Sequence, residues 1–209
     1  MLVESIDQRG ATGGRVHVAL SDGSSFFVSR ELVESLGIAV DSTCTEEQLE
    51  LLRHAHLLHE ATEKALELLA RAEHSRFLLA RKLLLREFPE TVIADCLDGL
   101  EERGWLSDRR FAEEWVRRRI RSRPEGETAL TAGLQSRGID GGLAREVVQQ
   151  FRSEFPEEFD RAIERAGARI LRTSGVSSRE VREKLSRRGF RAEVISRYID
   201  SISDDLSSS

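Results

Sequence analysis

"GETALTAGLQSRGIDGGLAREVVQQF", residues 126–151, is the segment from which the architecture can be read, because the chain holds two more copies of its pattern. "SRFLLARKLLLREFPETVIADCLDGL" begins at Ser75 and "SSREVREKLSRRGFRAEVISRYIDSI" at Ser177. The three align without a gap at a spacing of 51 residues. Matched apolar positions carry the alignment. Leu79, Leu130 and Val181 coincide, as do Leu83, Leu134 and Leu185, and Phe88, Ile139 and Phe190. Val92, Leu143 and Val194 follow, then Leu97, Val148 and Ile199, and Leu100, Phe151 and Ile202 close the unit. Upstream, Ala61, Ala112 and Ile163 are in register, and so are Leu69, Ile120 and Leu171. Spacings of three and four residues mark helix faces turned towards a core.

Each copy reads as a long helix, a second helix of about eleven residues, a two- or three-residue turn and a third helix. Gly138 and Gly189 stand where a helix ends in a left-handed residue. Ser177 followed by Glu180 spells a capping box, and Ser107 and Asp140 are placed as N-caps. A three-helix unit of this size leaves an apolar face for its neighbour, and stacking buries it. The fold expected is mainly α: an elongated array of three tandem three-helix repeats behind a small β-hairpin-containing N-terminal segment. The borders expected are 1–44 for that β-rich segment, 45–104, 105–155 and 156–206 for the repeats, and 207–209 for a tail.

Upstream of the repeats, "GRVHVALSDGSSFFVS" alternates apolar and polar residues. Val16, Val18 and Leu20 share one strand face, and Phe26 and Val28 share another. Asp22-Gly23 between them is a hairpin turn signal. Val3 to Ile6 supplies a third strand, and "SRELVESLG" a short helix ended by Gly37. Thr45 with Gln48 opens a long helix that continues to about Glu73. "GATGG" at residues 10–14 lacks the lysine of a phosphate loop and reads as a hairpin loop. The segment is too small for a core of its own. It either packs on the chain downstream of it or offers its edge to a partner.

A third of the residues are charged, 39% are hydrophobic and only three are proline, a balance that favours solvated amphipathic helices over a β-sandwich. No run approaches the roughly 18 apolar residues of a membrane helix, and the N-terminus lacks the pattern of a signal peptide. Cys44 and Cys96 have no metal or redox spacing, so a reducing cytoplasmic setting is expected. Residues 1–50 hold three basic and nine acidic side chains, net −6, and residues 51–104 add −2. Residues 105–155 carry +2 and 156–209 carry +1, within an overall −5. The C-terminal half is therefore suited to an anionic partner.

Five of the seven residues from Arg117 to Arg123 are arginine. Three readings stand open: a nucleic-acid grip, a docking surface for an acidic protein, or a solvated helix face. Phe111, Ala112, Trp115, Val116 and Ile120 form the buried stripe of this helix, and the arginines fall on the other side. Glu113 and Glu114 precede Arg117 and Arg118 by four residues, the favourable order for ion pairs, and Arg121 suits the helix C-terminus. The repeat adds a pattern that solvation does not require. Arg110 matches Arg161, Arg118 matches Arg169 and Arg121 matches Arg172, while Arg161, Arg165, Arg169 and Arg172 form a helical stripe. Arg86, Arg137 and Arg188 coincide too, as cations near helix ends, and Arg182 and Lys184 thicken the charge nearby. The candidate partner-binding residues are Arg110, Arg117, Arg118, Arg121 and Arg123, then Arg161, Arg165, Arg169 and Arg172, then Arg182, Lys184 and Arg188.

Reading of duplex DNA by the third helices is not expected, because the first of them carries Glu90, Asp95, Asp98, Glu101 and Glu102, which phosphates repel. Trp105, Trp115 and Tyr198 stand at apolar repeat positions, which leaves few aromatics for base stacking. His54, His56 and His59, with Glu60 or Glu63, could hold a metal, but the favoured reading is a solvated helix face. No catalytic residue, cofactor or metal is expected, and the chain is read as a non-enzyme.

The stretch "RGWLSDRRFAEEWVRRRIRSRPEGETALTAGLQSRGID" resembles the RecX family, regulators of the bacterial recombinase RecA. The resemblance lies in the Gly-aromatic-Leu-Ser-Asp turn, in Arg110, Phe111 and Ala112, in the basic helix end, and in the later Leu-x-x-x-Gly-Ile. "HSRFLLARKLLLREFPETVIADCLDGLEERG" is similar to the family's first unit, with Ser75, Arg76, Lys82 and Leu83 in its pattern, and "VREKLSRRGF" fits the third. The likeness covers roughly residues 60–203. It departs at "RSRPEG", where the family is richer in Lys and Gly, and at Gly133, where the other units have Lys82 and Lys184. The N-terminal 44 residues resemble the extension of longer members. The resemblance implies a modulator without enzymatic activity, a curved array lying in the groove of the RecA–DNA filament as a monomer. It would hinder filament extension, ATP hydrolysis and strand exchange, mainly as an inhibitor, with the arginines meeting acidic RecA surfaces or bound DNA. The alternative is a sequence-independent DNA-binding protein that competes for single strands, with double-stranded DNA a further possible ligand.

Overall fold

The computed structural model describes residues 1–8, 14–172 and 176–207. Of the hairpin loop expected at residues 10–14, all but Gly14 lies outside them, as do tail residues 208 and 209. The chain forms two compact units, one of Met1–Ala72 with Leu79–Leu106, the other of Glu73–Leu78 with Ser107–Ser209.

In the first unit, strands β1 (Val3–Gln8), β2 (Arg15–Leu20) and β3 (Ser25–Ser29) form an antiparallel sheet in the order β1-β2-β3. Val18 stands opposite Ile6 and Phe26. The period-2 alternation does what it predicts: Val3, Val16, Val18, Leu20, Phe26 and Val28 are all buried. Gly23 takes φ 84° in the hairpin turn, and the Ser24 N–H donates to Asp22 Oδ1 at 3.0 Å. Helix α1 (Arg30–Ser35) is capped by Ser29, and the left-handed Gly37 follows it.

Helix α2 (Glu46–Leu69) opens on the Thr45–Gln48 capping box and ends four residues before Glu73. Its Leu49 and Leu52 complete the core of the sheet. Its Ala61 and Ala65 join a second core with α3 (Arg76–Leu84) and α4 (Glu90–Glu102). The sheet thus packs on the first repeat. The open N–H of Phe27 on edge strand β3 donates to His56 Nδ1 at 3.1 Å, which satisfies a group that a bare edge would leave to water.

The second unit is all helix: α5 (Asp108–Ser122), α6 (Glu127–Gln135), α7 (Gly141–Glu154), α8 (Pro156–Leu171), α9 (Ser178–Arg187) and α10 (Ala192–Ser207). One core runs through it and contains the matched Leu130, Leu134, Val148, Val181, Leu185 and Ile199. Ser107, Asp140 and Ser177 are N-caps with their side chains bonded, as their spacing predicts. The junctions between repeats reproduce one contact. Ser75 Oγ donates to the Arg137 carbonyl at 2.7 Å, and 51 residues on the Gly126 N–H donates to the Arg188 carbonyl at 2.9 Å. The turns that accept these bonds hold Gly138 (φ 81°) and Gly189 (φ 80°). A Cβ on Gly138 would lie 2.2 Å from the Phe77 Cβ, and one on Gly189 2.3 Å from the Ala129 nitrogen. Glycine is needed there for both conformation and close approach.

Two apolar positions depart from expectation. Leu171 is 42% exposed, and the buried residue at that end of α8 is Ile170. Phe159, Ala166 and Ile170 recur at seven and four residues and hold the helix face inward, which turns Leu171 away. Trp105 is 49% exposed, because it follows the left-handed Gly104 (φ 69°) and the next residue, Leu106, takes the buried place.

Candidate partner-binding surface

Helix α5 presents the arginine cluster. Its inward stripe, Phe111, Ala112, Trp115, Val116 and Ile120, is buried, so the guanidinium groups sit on the remaining surface. Arg117, Arg118 and Arg121 line one shallow concavity with Glu114 and Ser122.

Ion pairing divides the candidates. Arg117 meets Glu114 at 3.7 Å, three residues away rather than the four expected from Glu113. Arg121 reaches Glu158 at 3.2 Å, Arg123 reaches Glu125 at 3.2 Å, and Arg110 reaches Glu73 at 2.7 Å. Arg165 is half-buried and donates to the Ile120 carbonyl at 2.9 Å, closing the C-terminal end of α5 rather than facing outward with its stripe. Arg182 donates to Ser196 Oγ at 2.9 Å. Arg188 is half-buried at the C-cap of α9. Among the described residues, Arg118, Arg161, Arg169, Arg172 and Lys184 are exposed and have no ion-pair partner.

Other arginines serve the fold. Arg119 pairs with Glu125 through two bonds at 2.9 and 3.0 Å, and its guanidinium lies 5.6 Å from the ring of Trp115. Arg137 flanks the same ring at 4.7 Å while donating to the Gly133 carbonyl. Arg86 makes the equivalent bond to the Lys82 carbonyl at 2.6 Å, so both neutralise helix C-termini. Sequence reasoning missed Glu127, a 5% exposed residue whose carboxylate holds Arg152 and, at 2.6 Å, Arg191. Its place in the first turn of α6 marks it as a dipole partner, but burial between distant arginines has no local signal. Glu158 as the partner of Arg121, 37 residues away, was equally invisible.

The histidines correct another expectation. His54, His56 and His59 are half-buried and do not form a solvated face. His54 bonds Asp95 at 2.7 Å, His56 accepts from β3, and His59 packs on Phe27 with ring centroids 5.3 Å apart. The face that carries His56 and His59 docks against the sheet, which the helical pattern of α2 could not reveal. Burial, then the charge of Arg15, pushes the His59 imidazole below its ordinary range. Burial pushes the Cys44 and Cys96 thiols up, which suits inert packing rather than nucleophilic work. Among the described residues no His, Cys, Asp or Glu cluster is placed to hold a metal, and no helix is long and apolar enough to cross a membrane.

The class that this fold and surface define is a helical-repeat protein with an arginine-rich face. The descriptions "RecX, first three-helix domain" and "RecX, second three-helix domain" match residues 61–100 and 107–148. The chain is 33% identical over 157 residues to the regulatory protein RecX of Treponema pallidum (strain Nichols), covering 74% of this chain and 93% of that one. It is 23% identical over 205 residues to that of Clostridioides difficile (strain 630), covering 96% and 95%. A crystal structure of regulatory protein RecX superposes with a TM-score of 0.73 at 19% identity, over 92% of this chain and 96% of that one. RecX from Lactobacillus salivarius gives 0.59 at 19% identity, over 70% and 97%. The chain belongs to the RecX family of regulatory proteins.

Proposed function

We propose that this chain regulates the RecA recombinase, mainly as an inhibitor, by binding in the groove of the RecA–DNA filament. In this reading it limits ATP hydrolysis, filament extension and strand exchange. It acts as a monomer in the bacterial cytoplasm, without catalysis and without a cofactor. The observation that carries the reading is a set of exposed cations without an ion-pair partner among the described residues, Arg118 on α5, Arg161 and Arg169 on α8 and Arg172 at its C-cap, in a member of this family. A guanidinium offers a planar fork to carboxylate or phosphate, and an unpaired one gives up no existing ion pair when a partner arrives. Arg121 and Arg123 must exchange Glu158 and Glu125 for the partner, so they are expected to contribute less than Arg118.

The test is single-stranded-DNA-dependent ATP hydrolysis by RecA from the same cell, titrated with this protein at two salt concentrations beside direct DNA binding. Inhibition at levels too low to coat the DNA supports filament docking. Inhibition that tracks the DNA-binding curve and its salt dependence transfers the function to competition for single strands. The double variants Arg117→Ala/Arg118→Ala and Arg169→Ala/Arg172→Ala are each expected to need about tenfold more protein for half-inhibition, about 1.4 kcal/mol. Unchanged inhibition by folded variants would remove the arginine face from the proposal.

A further inference from the structure

The N-terminal sheet does more than cover Leu49 and Leu52. Between β3, α2 and α4 the first unit holds a groove of about 790 Å³, in the size range of ligand-binding clefts. Phe27, Val28, Leu58 and Leu66 supply apolar lining, and Trp105 stands at the rim, with the Arg103 guanidinium 5.8 Å from its ring.

Three features distinguish this groove from an accidental gap. Gly99 lies within α4 and lines it. Glycine weakens a helix interior, yet packing does not demand it here: an added Cβ would meet only the movable Arg103 guanidinium, at 2.9 Å. The absent side chain leaves room over the helix backbone that only the Arg103 guanidinium fills, donating to the Gly99 carbonyl at 2.7 Å, and an occupant would have to swing this long, exposed side chain aside. Second, the equivalent site in the next repeat is closed. The counterparts of Leu58 and Asp95 are Arg109 and Glu146, which bond at 2.8 Å between α5 and α7, and the counterpart of Gly99 is Gln150. Third, the charge is opposite to that of the arginine face. Glu63, Asp95 and Glu102 line the groove against Arg15 and Arg103, within the acidic half of the chain. Phosphates are repelled by such a rim, whereas lysine or arginine beside apolar side chains is complementary to it.

We propose that this groove docks a short segment of another protein that carries large apolar side chains next to lysine or arginine. The apolar groups lie on Phe27, Leu58 and the Gly99 backbone, with Trp105 as an anchoring wall. The basic groups pair with Glu102 and Glu63, while Asp95 stays bonded to His54. The site belongs to the first unit and goes beyond the RecA reading, which rests on the second unit.

The whole chain, immobilised, is panned against a library of random linear peptides, and enriched peptides carrying a fluorescein label are titrated in solution by anisotropy, which reads every variant alike, with tryptophan fluorescence as a second readout for chains that keep Trp105. Trp105 is the exposed reporter, since Trp115 is buried. The expected outcome is a family of basic, apolar peptides. Gly99→Leu, which fills the floor with a better helix former, should weaken their binding at least about tenfold while melting no lower than the parent. Trp105→Ala and Glu102→Gln should weaken binding as well, and Arg117→Ala/Arg118→Ala should leave it unchanged, which separates this site from the arginine face. No enriched family, acidic peptides, or full affinity in a folded Gly99→Leu protein would overturn the proposal. Should Gly99→Leu fail to fold, full affinity in the Trp105→Ala and Glu102→Gln proteins would overturn it equally. Displacement of the peptides by oligo-dT, with quenching that depends on Trp105, would assign the groove to nucleic acid and overturn it too.

Discussion

Glu87 occupies the turn position that Gly138 and Gly189 occupy in the later repeats, and it takes the same left-handed conformation, φ 65°. A side chain in that region carries steric strain. Glu87→Gly is therefore expected to stabilise the protein by about 0.5–1 kcal/mol, read as a higher urea midpoint. The reverse change, Gly138→Ala, adds both strain and a 2.2 Å clash with Phe77 and should cost about 2–4 kcal/mol. Glu127 is the other residue with a large stake. Its removal in Glu127→Ala leaves Arg152 half-buried without its carboxylate, and a loss of about 1–3 kcal/mol is expected. If denaturation of Glu127→Ala matched the parent, the buried ion cluster would have no net role. The glycines and Glu87 can be found by aligning the repeats. Glu127 cannot, because its partners are 25 and 64 residues away and only the packing of α6, α7 and the start of α10 joins them.

At the scale of elements, helix ends are the most legible feature. Asp140, Thr45 and Ser177 are recognisable from their own and the following residues, since a cap bonds within one turn. Hydrogen bonds from the Leu143 and Gly142 N–H groups hold the Asp140 carboxyl below its ordinary range, and the N–H and hydroxyl of Ser177 do the same for Glu180. A depressed native pKa gives stability that is complete above the unfolded carboxylate value, about 4, and is lost as pH falls through the native value. Asp140→Asn keeps a capping oxygen without the charge. Its urea midpoint should fall slightly below the parent at pH 7, and the gap should close towards pH 2. Parallel curves at all pH values would contradict this. The arginine sides of α5 and α8 were also legible as faces, yet Arg119 of α5 and Arg165 of α8 were absorbed by Glu125, Trp115 and the Ile120 carbonyl. Periodicity says which side of a helix a residue is on; it does not say which neighbour arrives there.

At the scale of the molecule, the N-terminal segment is part of the first unit rather than an appendage. Leu49 and Leu52 are 3% and 0% exposed because the sheet covers them. Deleting residues 1–44 should uncover both at about 2 kcal/mol each. Hydrogen exchange is expected to show loss of protection in the first half of α2, with α8 and α9 unchanged. Full protection of α2 in the truncated chain would mean that the sheet only rests on the helix.

The repeat was written in the sequence because each copy must bury the same positions, and burial selects apolar side chains at fixed spacing. Helix ends, the hairpin and the three-strand pattern were equally determined by neighbours in sequence. What tertiary structure alone decided is where unlike surfaces meet: His56 on the edge of β3, Glu127 between two arginines, Trp105 at the rim of a groove, and Arg118 without an ion-pair partner among the described residues while Arg121 finds Glu158. Those outcomes depend on contacts between residues far apart in the chain, and a hydrophobic period constrains only which side of a helix faces inward.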